Sequence, residues 1–552
     1  LRLRRLVNVV EETALASGVP VPRIFILEQE DGINAFAAGF GPADAVVAVT
    51  RGTLDRLNRE ELQGVVAHEF SHIINGDMRL NIRLMGVLFG ILVIGVIGRT
   101  LLRGRSVSSR RSGNQGKGAF LGLALMLLGY IGVFFGQLIK ASVSRQREYL
   151  ADAAAVQFTR NPSGIAGALK KIGALSYGSR LKAPGSEEVS HMLFSDGSRS
   201  FVNLWATHRP LENRIRAIEP GFQAEEIETL RKQLLQPGQA PDPAFSGPAP
   251  DKSGPGEKAG RPVLPGLPGM AGSVLPQTVM AEAVFFDPEK PDPAHLALAA
   301  SLCRELPGEL YEAAHDPDSV APLILALVLG DDAQKQEKGL SGLAKSVSAA
   351  TLEQTRRLAA HLSNLDPRLR LPLVELAMPA LRLKPPESIN ILSMRVMDLV
   401  HLDGRVTVFE YALGRLLARH VTDILKPSRT RSGGRILLKD CGREVTGLLA
   451  VAAMHGHTDP ADAAGAFRSG MSILYPAAQV PDYQAPEKWI QVLDRALDRL
   501  DGLSLSAKQK LIRALLTTLS HDGVVTVMEA ELLRAVCGIL HVPVPPVHGM
   551  GS

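Results

Sequence analysis

The sequence predicts an α+β, mainly helical chain: a mixed α+β unit with an inserted apolar helical hairpin, followed by an all-α region. Three observations carry this. Short β-type runs, Arg23 to Leu27 and Ala45 to Thr50, stand among segments of helical period up to about residue 220. Within that stretch lie two apolar runs without a charge, Leu84 to Gly98 and Ala119 to Ile139. From about residue 290 onward, helical patterns punctuated by Pro and Gly follow one another with almost no alternation. The expected organisation is a domain over 1–220 with its hairpin at about 84–139, a linker over 221–289, and an all-α domain over 290–552.

At 552 residues, 45% of them hydrophobic, the chain can bury large cores and exceeds one ordinary domain. A formal net charge of +5 and 5% aromatics give no compositional sign of a nucleic-acid partner. Cys303, Cys441 and Cys537 are odd in number, widely spaced and without a CxxC, which argues against a disulfide framework and a thiolate metal site. The opening Leu-Arg-Leu-Arg-Arg reads as the interior of a protein, so an upstream segment is expected.

His68-Glu69-Phe70-Ser71-His72 is an HExxH segment framed by helix signals: Asn58 can N-cap, Glu61 completes a box three residues later, and Gly76 can terminate. His68 and His72 therefore share one helical face and can reach one Zn²⁺ at about 2.0–2.1 Å. Glu69, turned by about 100° around the helix, can act as general base toward a zinc-activated water. A third protein ligand is still needed, and no HxxGxxH continuation follows His72, which disfavours a metzincin. Beyond the hairpin, Ser144-Arg-Gln-Arg-Glu148-Tyr-Leu-Ala-Asp152 puts Glu148 and Asp152 at i, i+4. Glu148 would be the third ligand, and Asp152 would hold a ligand histidine by its other nitrogen. A solvated helix face beside Arg145 and Arg147 is the alternative.

The second apolar run, of 21 residues, alone reaches the roughly 20 needed to cross a bilayer; the first is short unless Leu101 and Leu102 extend it. Two membrane helices are expected, with a buried core hairpin as the alternative. Basic residues flank both ends: Arg103, Arg105, Arg110, Arg111 and Lys117 on one side, Arg79, Arg83, Lys140, Arg145 and Arg147 on the other. Charge alone therefore leaves the orientation open.

From Gln223 to Glu289 the Pro- and Gly-rich composition reads as a flexible linker. In the region after it, Asp403-Gly-Arg-Val-Thr-Val-Phe-Glu410 recurs as Asp522-Gly-Val-Val-Thr-Val-Met-Glu529. Asp-Gly makes a turn, and Thr407 with Glu410, or Thr526 with Glu529, forms a capping box. A metal site shared by the acids is the alternative. The repeat resembles tellurite-resistance TerB-like helical domains, which implies a docking or regulatory module.

The HExxH helix, the hairpin, the Ser144 to Asp152 segment and Thr207-His208-Arg-Pro-Leu-Glu-Asn-Arg214-Ile together resemble the HtpX-like membrane metallopeptidases over about residues 1–220. The CAAX prenyl proteases are more distant relatives. The resemblance implies a gluzincin fold and a zinc-dependent endopeptidase with one Zn²⁺ per chain, acting on misfolded or damaged membrane proteins. It maps His68, His72 and Glu148 to zinc ligands, Glu69 to the catalytic base, and His208 with Arg214 to an active-site pair. His208 could donate to the oxyanion of the tetrahedral intermediate. His191 reads as a loop residue rather than a fourth ligand. Asn34-Ala35-Phe36-Ala37 is similar to the family's NAFA segment, beside an edge strand to which substrate backbone can add. By the same resemblance the chain is multi-pass in a bacterial inner membrane, its catalytic unit facing the cytoplasm. The helical domain, which this resemblance does not cover, is expected to gate access or to join a partner or oligomer. Two rival readings are a silent scaffold with the peptidase fold, and a prenyl-protein protease, which predicts many more spans.

Overall fold

The computed structural model describes residues 2–103, 115–175, 194, 211–235, 278–280, 293–402, 406–425, 434 and 436–542. The chain opens with helix α1 (Arg2–Ser17), whose side chains from Val9 onward are almost all buried. Gly18, at φ 65°, stops it in the left-handed conformation that favours glycine. Three strands follow: β1 (Arg23–Leu27), β2 (Ala35–Ala38) and β3 (Val46–Thr50). Val and Ile suit the pleated, half-buried surface. The sheet order is β1-β3-β2, with β1 parallel and β2 antiparallel to β3, so β2 is an edge strand.

A short helix α2 (Arg51–Arg56) leads to α3 (Arg59–Ile74), which carries the HExxH segment. Its start and stop match the sequence: Asn58 and Glu61 form the reciprocal capping box, and Gly76 turns left-handed at φ 71°. Next come α4 (Asp77–Arg103), α5 (Gln115–Thr159) and α6 (Pro162–Ala174). Helices α3 and α6 cross backbone to backbone. A Cβ on Gly64 would stand 2.7 Å from the Ile165 nitrogen, and one on Gly164 would stand 2.7 Å from the Glu60 carbonyl oxygen. Larger residues at either position would push α3 off its support.

Helices α4 and α5 form the hairpin, meeting at glycines: a Cβ on Gly129 would lie 2.3 Å from the Gly95 Cα, and one on Gly98 would lie 2.4 Å from the Met126 nitrogen. Such close backbone approach is how apolar helices associate where water supplies no driving force. Phe89, Leu128 and Phe120 point outward with 68%, 65% and 74% of their surface exposed. The first helix does take in Leu101 and Leu102 and also begins earlier than its apolar run: Asp77–Leu102 is by itself long and apolar enough to cross a membrane. The polar residues before Leu84 continue the same helix because it begins directly after the Gly76 turn. In α5 the described apolar stretch is Phe120–Phe135, inside a helix that runs on unbroken to Thr159.

After α7 (Leu211–Ile218), helix α8 (Glu225–Leu235) occupies the start of the segment read as linker. Acidic residues in its first turn favour the helix dipole, and Ile227 is buried against α6. A short strand β4 (Thr278–Met280) also falls within that segment.

The remaining helices are α9 (Pro293–Glu305), α10 (Gly308–His315), α11 (Val320–Leu329), α12 (Ala333–Leu343), α13 (Ala349–Leu362), α14 (Arg370–Leu381), α15 (Pro386–Val400) and α16 (Val408–Leu425). They continue as α17 (Gly442–Gly456), α18 (Pro460–Leu474), α19 (Trp489–Leu500), α20 (Leu505–Leu519) and α21 (Val527–Ile539), with β5 (Val524–Thr526) before the last. The first of these helices are not set apart from the peptidase-like unit. One buried core runs from Leu6 through the sheet and α3 to Val421 in α16, and a second occupies the last lobe from Val408 to Val542. Helix α9 packs on α1, and Tyr311 donates to Glu11 Oε2 at 2.8 Å while His315 bonds its other oxygen. Both repeats show their capping boxes: Thr407 with Glu410 and Thr526 with Glu529 exchange hydrogen bonds. Strand β5 pairs antiparallel with β4. Asp403 lies outside the described residues.

Candidate metal centre

The last two turns of α3, the end of α5 and helix α7 meet below β2. His68 is fully buried and His72 is 16% exposed at its side chain. Their Nε2 atoms are 3.2 Å apart, and Glu148 brings Oε2 to 3.6 Å from His68 Nε2 and Oε1 to 3.7 Å from His72 Nε2. The three donors all lie within 4.8 Å of one another. Ligands about 2.0–2.1 Å from one tetrahedral Zn²⁺ stand about 3.3 Å apart, so this triangle is of the size a zinc ion needs.

Each imidazole is held from behind. His68 Nδ1 is 2.9 Å from Asp152 Oδ1, and His72 Nδ1 is 2.8 Å from Asp77 Oδ2. A carboxylate at Nδ1 keeps the proton there and turns the Nε2 lone pair toward the common point. Burial lowers the pKa of His68, which favours the neutral ring a metal requires. Arg214, 1% exposed, donates from Nε and Nη2 to the two Asp152 oxygens at 2.8 and 2.7 Å. It also donates from Nη1 to the Phe194 carbonyl at 2.6 Å and lies 3.4 Å from Glu148 Oε2. Burial works against this guanidinium, but Asp152 and Glu148 outweigh it and raise its pKa. The same Arg214 holds Asp152 ionised despite its burial.

Glu69 is 1% exposed. Burial pushes its carboxyl up to about 7, with Glu148 adding to the rise and His72 and the Ala37 amide opposing it. A buried acid beside two imidazoles and titrating near neutrality is suited to taking up and returning a proton.

The structure thus brings His68, Glu69, His72, Glu148, Asp152 and Arg214 together. Arg214 is spent on Asp152, a partner the sequence did not assign to it. His208 and His191 lie outside the described residues. Along β2, Ala37 lies against Glu69, and the Ala35 carbonyl accepts from the Phe194 N–H at 2.8 Å. Phe36 is half-buried. Asn34 is buried where β2 begins: its N–H faces the Thr50 and Thr53 hydroxyls at 3.0 and 2.9 Å, and its Oδ1 accepts from the Ala35 N–H. That gives Asn34 a place in the scaffold.

Two residues escaped the sequence reading. Asp77 had a usable signal, an acid immediately after the glycine that ends the HExxH helix. Phe194 had none. Its ring sits edge-on to His68 at 4.9 Å between centroids and beneath the Arg214 guanidinium at 4.8 Å, sealing the buried side of the site.

Comparison with known proteins agrees with this geometry. Residues 1–220 match Peptidase family M48. The chain is similar to "Protease HtpX homolog" of Thermoanaerobacter pseudethanolicus, 39% identical over 214 residues, 38% of this chain and 70% of the relative. The proteins of the same name from Dictyoglomus turgidum and Ligilactobacillus salivarius are each 40% identical, over 213 residues (39% of this chain, 68% of the relative) and 215 residues (38% and 71%). No solved structure matches.

Proposed function

The chain belongs to Peptidase family M48 and is a metalloprotease, and we propose that it is a zinc-dependent endopeptidase that cuts misfolded or damaged membrane proteins beside a bilayer. The observation that carries the reading is the convergence of His68 Nε2, His72 Nε2 and the Glu148 carboxylate, with the buried Glu69 next to them. The donor set of two imidazoles and one carboxylate fits zinc at a hydrolytic site with one position open. When bound there, zinc would polarise the scissile carbonyl and make water nucleophilic near neutral pH.

The chain's own residues do the rest. Glu69 accepts the proton of the attacking water and returns it to the leaving amine. Arg214 and Asp152 fix His68 and keep Glu148 beside it. A substrate strand pairs along the free part of the β2 edge near Ala37, because the Ala35 carbonyl is already taken by Phe194. His208 serves the oxyanion. The outward apolar surface of α4 and α5 supports placement of the hairpin in lipid; a site on the cytoplasmic side of a bacterial inner membrane follows from the family resemblance alone.

The test is purification in detergent with zinc counted per chain and cleavage of a casein-like protein measured beside a prenylated peptide. The expected result is about one zinc, cleavage of the protein substrate, and loss of cleavage with zinc retained in Glu69→Gln. Full activity in Glu69→Gln overturns the mechanism, and selective cleavage of the prenylated peptide overturns the substrate class.

A further inference from the structure

We propose that Asp77 is the positioning residue for His72 and that Arg147 sets Asp77, so that the two apolar helices are tied directly into the ligand set. The inference rests on the zinc reading above. Asp77 is the first residue of α4, 4% exposed, and follows Gly76 in its left-handed turn. That turn folds the carboxylate back over the last turn of α3. There Oδ2 meets His72 Nδ1 at 2.8 Å, while Oδ1 pairs with the Arg147 guanidinium. Arg147 immediately precedes Glu148 on α5.

The arrangement repeats the one behind the other histidine. His68 is backed by Asp152 and Arg214, and His72 by Asp77 and Arg147. Asp77 accepts from His72 Nδ1–H and Asp152 stands 2.9 Å from His68 Nδ1, so each carboxylate favours the tautomer whose Nε2 is free for the metal. In both, an arginine neutralises the carboxylate and limits its movement. The two sets differ in what they join. Asp152 and Arg214 lie outside the apolar segments, on the end of α5 and on α7. Asp77 and Arg147 belong to the two hairpin helices, one at the entrance of α4 and one on α5 after its apolar run. Losing their contact would release the His72 ring and let α4 shift against the helix that carries Glu148.

Zinc affinity is measured on the full chain in detergent by competition with a chelator, beside kcat and KM at saturating zinc. Asp77→Ala is expected to weaken zinc about 10–100-fold and to lower kcat with KM little changed. Asp77→Asn, which keeps an acceptor oxygen without the charge, should fall between it and the wild type. Arg147→Ala should weaken zinc by a smaller factor, and Arg147→Lys should recover most of the loss. Circular dichroism shows which variants are folded, and the Arg147 pair carries the test if Asp77→Ala is not. Affinity within about twofold of wild type in folded Asp77→Ala, or equal losses in Arg147→Ala and Arg147→Lys, overturns the proposal. A wild-type chain that takes up no zinc overturns the metalloprotease reading along with it, which separates the two failures.

Discussion

Two buried clusters in this chain pair histidine with carboxylates and arginine, and they do opposite things. At the metal centre each imidazole gives one nitrogen to an acid and keeps the other for a shared point with Glu148. At the junction of the last lobe, His541 faces Asp501 with Nδ1 at 3.1 Å and Asp423 with Nε2 at 3.2 Å, with Arg419 and Lys508 completing the network. Both of its nitrogens are consumed. Burial disfavours charge on His541, but hydrogen bonds to Asp423 and Asp501 overcome it and raise its pKa, whereas His68 is driven down. The same residue types thus leave a nitrogen over for a common point in one cluster and none in the other.

The largest expected effect breaks this comparison outright. His68→Ala should take bound zinc from about one per chain to near none, while His541→Ala should leave it unchanged; equal zinc loss in both, measured by metal analysis, would show that the clusters are not distinct. Next is Arg214→Met. It leaves Asp152 and Glu148 buried without their cation, and the expected loss is about 3–5 kcal/mol in denaturant unfolding, the usual cost of removing one partner of a buried pair.

A subtler effect concerns pH. Because the folded pKa of His541 is raised, its stabilising contribution is fully present below the unfolded value of about 6.5 and is lost as pH rises through the higher folded value. The difference in Tm between wild type and His541→Gln should therefore be largest at acid pH and shrink above neutrality; a pH-independent difference would deny His541 its charged role. The smallest effect is expected from Thr407→Ala or Thr526→Ala, about 1 kcal/mol each from a lost helix N-cap, with zinc unchanged.

What the sequence made legible was local. The HExxH spacing, the Asn58 and Glu61 box, the Gly76 stop and the i, i+4 placement of Glu148 and Asp152 all depend on contacts within a few turns. What it hid was long-range. Arg214 meets Asp152 across 62 positions, and Tyr311 meets Glu11 across 300, so helical periodicity could not show that α9 and α10 pack against α1. The start of α4 at Asp77 was hidden for another reason: helix boundaries follow backbone stops such as Gly76, not the limits of hydrophobic composition.

Helix α5 runs without interruption from the hairpin to the third ligand. Glu148 lies nine positions beyond Ile139, where the apolar run ends, a rise of up to about 14 Å along a straight helix. An extended chain covers that height in about four residues. With the hairpin placed in lipid as proposed, the helix would act as a measuring stick: a peptide bond still lying at the lipid surface would fall short of the site, and only a segment pulled clear by about four residues would reach it. Selection for extracted chains would then come from a fixed length rather than from recognition of any particular side chain.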